Sequence, residues 1–172
     1  MKNIFLVVLV LTIVSCNNET QKIGFVNNKD LVNDYQEKID IEAKFKIKIE
    51  AFQKRTDSIG QAFQQEAQAF QVKAQGMNEA QAQAEYQALG QKQQMLQQRI
   101  QLEESTIQGD SQQTIDSLIT KVRDYVKDYG KKNGYTYILG SNEAGSVMYG
   151  DESKDLTKVI LDALNADYKK PE

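Results

Sequence analysis

Between residues 30 and 132 the chain has no proline, and it is built mainly from Gln, Ala, Lys and Glu. All four are good helix formers, and without proline every backbone N–H stays available to a helix ladder. The apolar residues say what kind of helix. Phe45, Ile49, Phe52, Thr56, Ile59, Phe63 and Phe70 step by threes and fours, with Glu66 in the vacant slot. Tyr86, Leu89, Gln93, Leu96, Ile100, Glu103 and Ile107 repeat the pattern. It resumes beyond Ser111 at Ile115, Leu118, Val122, Tyr125 and Tyr129. This is a heptad seam with several polar residues in core slots. Phe45-Lys46-Ile47-Lys48-Ile49 alternates as a strand would, but no turn residue bounds it and the seam runs on past it.

One unbroken helix of this length is not expected. Gln75-Gly76-Met77-Asn78 offers the break, since Gly76 permits a left-handed turn and Asn78 can cap a second helix. Folding back there gives two antiparallel helices, each roughly 70 Å long. It sets Ile59 near Leu96, Ile49 near Ile107 and Phe70 near Tyr86. Lys44, Lys46, Lys48, Lys54 and Arg55 then fall opposite Glu103, Glu104 and Asp110.

The flanks differ in character. Residues 22–28, Lys-Ile-Gly-Phe-Val-Asn-Asn, read as a strand. Asn133-Gly134 is a helix stop. Tyr135 to Leu139 reads as a second strand, Gly140 to Gly145 as a turn, and Ser146 to Tyr149 as a shorter third strand. Asp155 or Thr157 can cap a last helix with Leu156, Val159, Ile160, Ala163 and Leu164 on one face. The expected organisation is a small body from residues 22–29 and 133–172, and a helical hairpin from 30–132 with its tip near 75–78.

The N-terminus carries an address. Lys2 precedes an apolar run from Ile4 to Val14 that is too short to span a bilayer and is followed at once by Asn17, Asn18 and Glu19. Residues 1–15 read as an export signal. Ile13-Val14-Ser15-Cys16 resembles a bacterial lipobox, which makes Cys16 the lipid-attachment residue and 16–21 a tether. Buried acyl chains contribute about 0.8 kcal/mol per CH₂, so such an anchor is durable.

Composition narrows the chemistry. Without residues 1–15 the formal charge moves from −3 to −4, because Lys2 is lost. With a pI near 5.2, nucleic acid is not an expected partner. There is no His, and Cys16 is the only Cys. No intrachain disulfide is possible, and no metal-ligand spacing, phosphate loop or acid–base set is present. Neither an enzyme nor a cofactor is expected. Gly60 and Gly90 lie in the hairpin at broadly similar heights, where each costs about 1 kcal/mol relative to Ala. They are candidate hinge residues. Met77, at the tip, is a candidate contact for a bound chain.

The ordered pattern is strand, long hairpin, strand, strand, helix. Its C-terminal block reads Tyr129-Gly-Lys-Lys-Asn-Gly-Tyr-Thr-Tyr-Ile-Leu, then Val147-Met-Tyr-Gly, then Lys154-Asp-Leu-Thr-Lys-Val-Ile-Leu-Asp-Ala-Leu. With Ile23-Gly-Phe-Val-Asn-Asn-Lys-Asp-Leu-Val at the start, this resembles the OmpH/Skp family of periplasmic chaperones over residues 22–166. The resemblance implies an α+β, mostly α fold: a coiled-coil hairpin projecting from a small β-body that trimerises. It implies an ATP-independent holdase that shelters unfolded outer-membrane β-barrel proteins between the hairpins of a homotrimer. The short strands have open edges and too little core of their own, so assembly would serve them. The chain departs from the basic, soluble enterobacterial members in its acidic charge and in Cys16. Capture by long-range charge attraction is therefore not expected. The expected location is the periplasmic side of a membrane, the outer one favoured. A scaffold lipoprotein holding one folded partner is the alternative function.

Overall fold

The structure, a computed structural model, describes residues 21–142 and 145–169. The signal segment 1–15, Cys16 and the tether up to residue 20 lie outside the described residues.

Strand β1 (Ile23–Asn27) leads directly into a short helix α1 (Asn28–Asn33). The Asn27 side chain caps α1 by accepting from the backbone N–H groups of Lys29 and Asp30. The chain then breaks at Asp34 and Tyr35 before helix α2 (Gln36–Ala74), where unbroken helix was expected from residue 30 onward. The cause is Tyr35. Its backbone is extended, which lets the side chain turn inward to full burial while its hydroxyl donates to Glu37 Oε2 at 2.6 Å. Helix α3 (Glu79–Lys132) returns along α2. It stops at Asn133, with Gly134 at φ +69° and Tyr135 N–H bonded to the Gly130 carbonyl, a left-handed C-terminal cap.

Strand β2 (Tyr137–Ser141) pairs with β1 in parallel, from Ile23 opposite Tyr137 to Asn27 opposite Ser141. It lies two residues later than expected. Tyr135 and Thr136 are taken up by the helix cap and by a bond from Thr136 N–H to the Lys22 carbonyl. Gly140 therefore sits within the strand, where a Cβ would come 2.5 Å from the Asn28 side chain.

No strand forms at Ser146–Tyr149, contrary to the sequence reading. The other edge of β1 is met instead by Asp155 and Leu156, whose N–H donates to the Phe25 carbonyl at 2.8 Å. Residues 146–149 are left without a strand partner, and Met148 and Tyr149 are 90% and 88% exposed.

After a 3₁₀ turn (Glu152–Lys154), helix α4 (Thr157–Asp167) closes the body. Asp155 Oδ1 accepts from Thr157 N–H at 2.8 Å, the start expected from sequence. Leu156, Ile160 and Leu164 turn inward, whereas Val159 stays about half exposed. The core joins Val26, Leu31, Tyr35, Leu118, Val122, Leu156, Ile160 and Leu164. Two of these lie on α3, so the body draws its core partly from the foot of the hairpin.

Burial separates Ile160 from its neighbour, and mutation should do the same. Ile160→Ala should destabilise by about 2–5 kcal/mol. Val159→Ala should cost under about 1 kcal/mol, since half its surface stays in water. Urea unfolding at a fixed protein concentration measures both. Equal costs would contradict this orientation of α4.

Candidate functional site

The hairpin offers a long, open surface. At its tip, Gly76 and Met77 donate their N–H groups back to the Lys73 and Ala74 carbonyls, and Asn78 Oδ1 accepts from Gln81 N–H at 2.9 Å. Asn78 is the cap expected from sequence. Gly76 is not left-handed: among the described residues only Gly134 and Gly145 have positive φ. The turn is made by tightening the last turn of α2, which any small residue permits.

Cross-hairpin ion pairs fix the register. Lys48 meets Asp110 at 2.8 Å and Lys73 meets Glu85 at 2.6 Å. Arg55 pairs with Glu103, Lys92 with Glu66, and Lys121 with Glu37. Each step along α2 is matched by an equal step back along α3: seven residues from Lys48–Asp110 to Arg55–Glu103, and seven again from Glu66–Lys92 to Lys73–Glu85. The seam thus runs to the tip without a slip. Each exposed pair contributes tenths of a kcal/mol, so they specify alignment more than they stabilise it.

The ion-pair register differs from the sequence reading by about three residues along the whole hairpin. Ile49 does line a cleft with Ile107, but Phe70 sits beside Leu89, and Tyr86 is 70% exposed. Ala67, not Glu66, is half buried, which frees Glu66 for Lys92. Ile49 is 41% exposed despite its seam position.

Several apolar residues off the seam face water. Ile47 and Val72 lie on the side of α2 turned from α3, while Met95 and Leu102, seven residues apart, share a flank of α3. The sequence reading passed over Ile47, Val72 and Leu102 as sites, although their position between seam residues was the available signal. Met77 is half buried within the tip turn, less open than its sequence position suggested.

Gly60 and Gly90 lie within continuous helix. A Cβ at either would meet nothing within 4 Å, so close packing inside this hairpin does not require them. They are not level. The ion-pair register sets Gly60 opposite Gln98, eight residues, or about 12 Å, along α3 from Gly90. The Glu66–Lys92 pair lies between them.

At the foot, a polar clasp ties α2, α3 and the C-terminal residues together. Tyr35 packs edge-on against Tyr168 with centroids 5.9 Å apart, and the Lys121 ammonium lies 5.9 Å from both rings. Tyr168 donates to Asp40 Oδ2 at 3.2 Å, and Asn165 Oδ1 accepts from Gln36 N–H at 2.8 Å. Burial and the neighbouring Glu37 push the Tyr35 phenol well above its ordinary pKa. Burial acts to raise the Glu37 carboxyl too. Hydrogen bonds from Lys121 and Tyr35, with the charge of Lys121, outweigh it and hold the carboxyl below its usual range. Nothing here joins a nucleophile to a base. No group of three or more Cys, Asp or Glu side chains able to hold a metal occurs among the described residues. No described helix is long and apolar enough to cross a membrane.

A coiled-coil hairpin standing on a small α/β foot, with exposed apolar side chains spread along its arms, is the class of fold the chain defines. The chain belongs to the OmpH family of OmpH-like outer membrane proteins, which matches residues 22–164. Its fold is similar to the crystal structure of an OmpH-like protein from Caulobacter crescentus CB15, described as a candidate outer membrane chaperone. The two share 16% identity with a TM-score of 0.77, over 88% of each chain. No curated protein matches this chain.

The clasp gives a pH signature. Because the folded Glu37 carboxyl is depressed, its contribution is fully present above the ordinary glutamate pKa of about 4.3 and is lost as pH falls through the lower folded value. The Tm difference between wild type and Glu37→Gln should be constant near neutrality and shrink below that value. A difference that persists unchanged in acid would contradict the clasp.

Proposed function

We propose that this chain is an ATP-independent holdase of the cell envelope, anchored through lipid on Cys16 and working as a homotrimer. Its clients are unfolded outer-membrane β-barrel proteins, held between the hairpins. Family membership supports a chaperone role in the envelope. The observation that carries the finer reading is the spread of exposed Ile47, Val72, Tyr86, Met95 and Leu102 along otherwise polar arms. Single apolar side chains separated by Gln and Ala give weak, repeated contacts. Such contacts hold an extended apolar chain without fixing one conformation.

Assembly has its own support. Ile23, Tyr137 and Leu139 stand partly exposed on the outer face of the two-stranded sheet, and Met148 and Tyr149 project beside it. A face of this kind on so small a body is stabilised by a second and third copy. Confinement at the membrane by Cys16 would then replace long-range charge attraction as the means of meeting clients.

Diluting a urea-unfolded β-barrel membrane protein into the non-acylated chain tests the reading by light scattering. Scattering should be suppressed near one trimer per client, without nucleotide. Undiminished aggregation would favour the scaffold alternative.

Gly60 and Gly90 enter as the proposed hinge. With open space at both, replacing them with Ala should raise hairpin stability by about 1–2 kcal/mol in total rather than create a clash. The stiffened trimer should protect large clients less well than small ones. Equal protection of every size by a more stable double variant would refute the hinge.

A further inference from the structure

The end of the molecule farthest from the tip is formed by the last turns of α3, the start of β1 and the start of β2. It is basic. Arg123, Lys127 and Lys131 step by four along α3 and line one groove of about 380 Å³ with Tyr135, Thr136, Tyr137 and Ile138. Lys132 follows on the same turn, and Lys22 donates to the Asn133 carbonyl at 2.9 Å with its ammonium 4.2 Å from the Tyr135 ring centroid. Tyr137 beside them is 55% exposed. The nearby acidic groups on α3 are Asp124 and Asp128, and Asp128 approaches only Lys131, at 4.0 Å. Among the described residues Arg123, Lys127 and Lys132 have no ion-pair partner.

A helix C-terminus favours cations, which accounts for Lys131 and Lys132. That effect fades within the last turn and leaves Lys127 and Arg123 unexplained. Chain length supplies the reason. Lys22 is six residues from Cys16, a reach of at most about 21 Å, whereas α3 is about 81 Å long. A lipid on Cys16 therefore holds this basic pole near the bilayer and leaves the tip free to point away.

We propose that this pole docks on the anionic phospholipid headgroups of the membrane that holds the anchor. Arg123, Lys127, Lys131 and Lys132 meet phosphates. The inference rests on the lipid-anchor reading and adds orientation to it: an acyl chain with a basic patch is the two-signal arrangement that anchors firmly, and two separated contacts fix which end faces the membrane.

The test uses the chain from residue 16 onward carrying Cys16→Ser, so that no acyl chain contributes. Its binding to vesicles of phosphatidylcholine mixed with phosphatidylglycerol is followed by cosedimentation, with phosphatidylcholine vesicles alone as reference. Binding should require the anionic lipid and weaken in high salt. R123Q/K127Q/K131Q/K132Q should weaken it by about five-fold per residue removed. K44Q/K46Q/K54Q, on the hairpin, should leave it unchanged. Equal binding to neutral vesicles, or no loss in the four-site variant, overturns the proposal. So does a four-site variant whose free form changes its sedimentation coefficient, because the patch then lies between copies of the chain. Acyl mass on the exported protein reports the anchor separately, so either reading can fail without the other.

Discussion

The parallel pairing of β1 with β2 is the constraint from which the architecture follows. Parallel neighbours cannot be joined by a tight turn, so the chain must leave the sheet and come back to the same end. Here the crossover is the hairpin of α2 and α3. With Ile23 opposite Tyr137 and Asn27 opposite Ser141, the hairpin's two feet are brought back to one small sheet. The core then forms around that junction. Leu118 and Val122 of α3 pack with Leu31 of α1 and Ile160 and Leu164 of α4, so the foot of the hairpin and the body are one packed unit.

Burial falls off from that junction. No residue of α2 is fully buried, and the buried side chains of α3, Ile107, Leu118 and Val122, all lie in its body-side half. Toward the tip the seam offers half-buried Ala67, Phe70 and Leu89, exposed ion pairs, and two glycines with open space beside them. Few apolar contacts and exposed polar pairs are the conditions under which a segment opens without unfolding the rest. The arm is thus the softer part, while the clasp of Tyr35, Glu37, Lys121 and Tyr168 keeps its foot in place.

The sequence made the hairpin legible because its signals are local and repeated: a proline-free run, a heptad seam and Asn78 as cap. The first strand and the stop at Asn133-Gly134 were readable for the same reason. What escaped depends on partners distant in the chain. Tyr35 breaks the helix because a pocket made by α3 and the C-terminal residues receives it. Ser146–Tyr149 has strand composition, but Asp155 and Leu156 take the edge of β1. Ala67 takes the seam slot expected of Glu66, and Tyr86 turns to solvent, because steps of three and four leave the register free by a few residues until the charges fix it. Of the candidate site residues, Gly60, Gly90 and Met77 are placed on the hairpin, with the glycines offset along it. The exposed apolar side chains were visible as letters but not as surface, since exposure is decided by which flank the partner helix covers.

The central claim is that one packed junction carries the stability and the arms are progressively softer toward the tip. Native-state hydrogen exchange measures this directly. The account predicts the strongest protection at residues 118–130 and 157–164, falling along both helices toward residues 60–98. Protection as strong at the tip as at the foot, lost everywhere in one step, would contradict it.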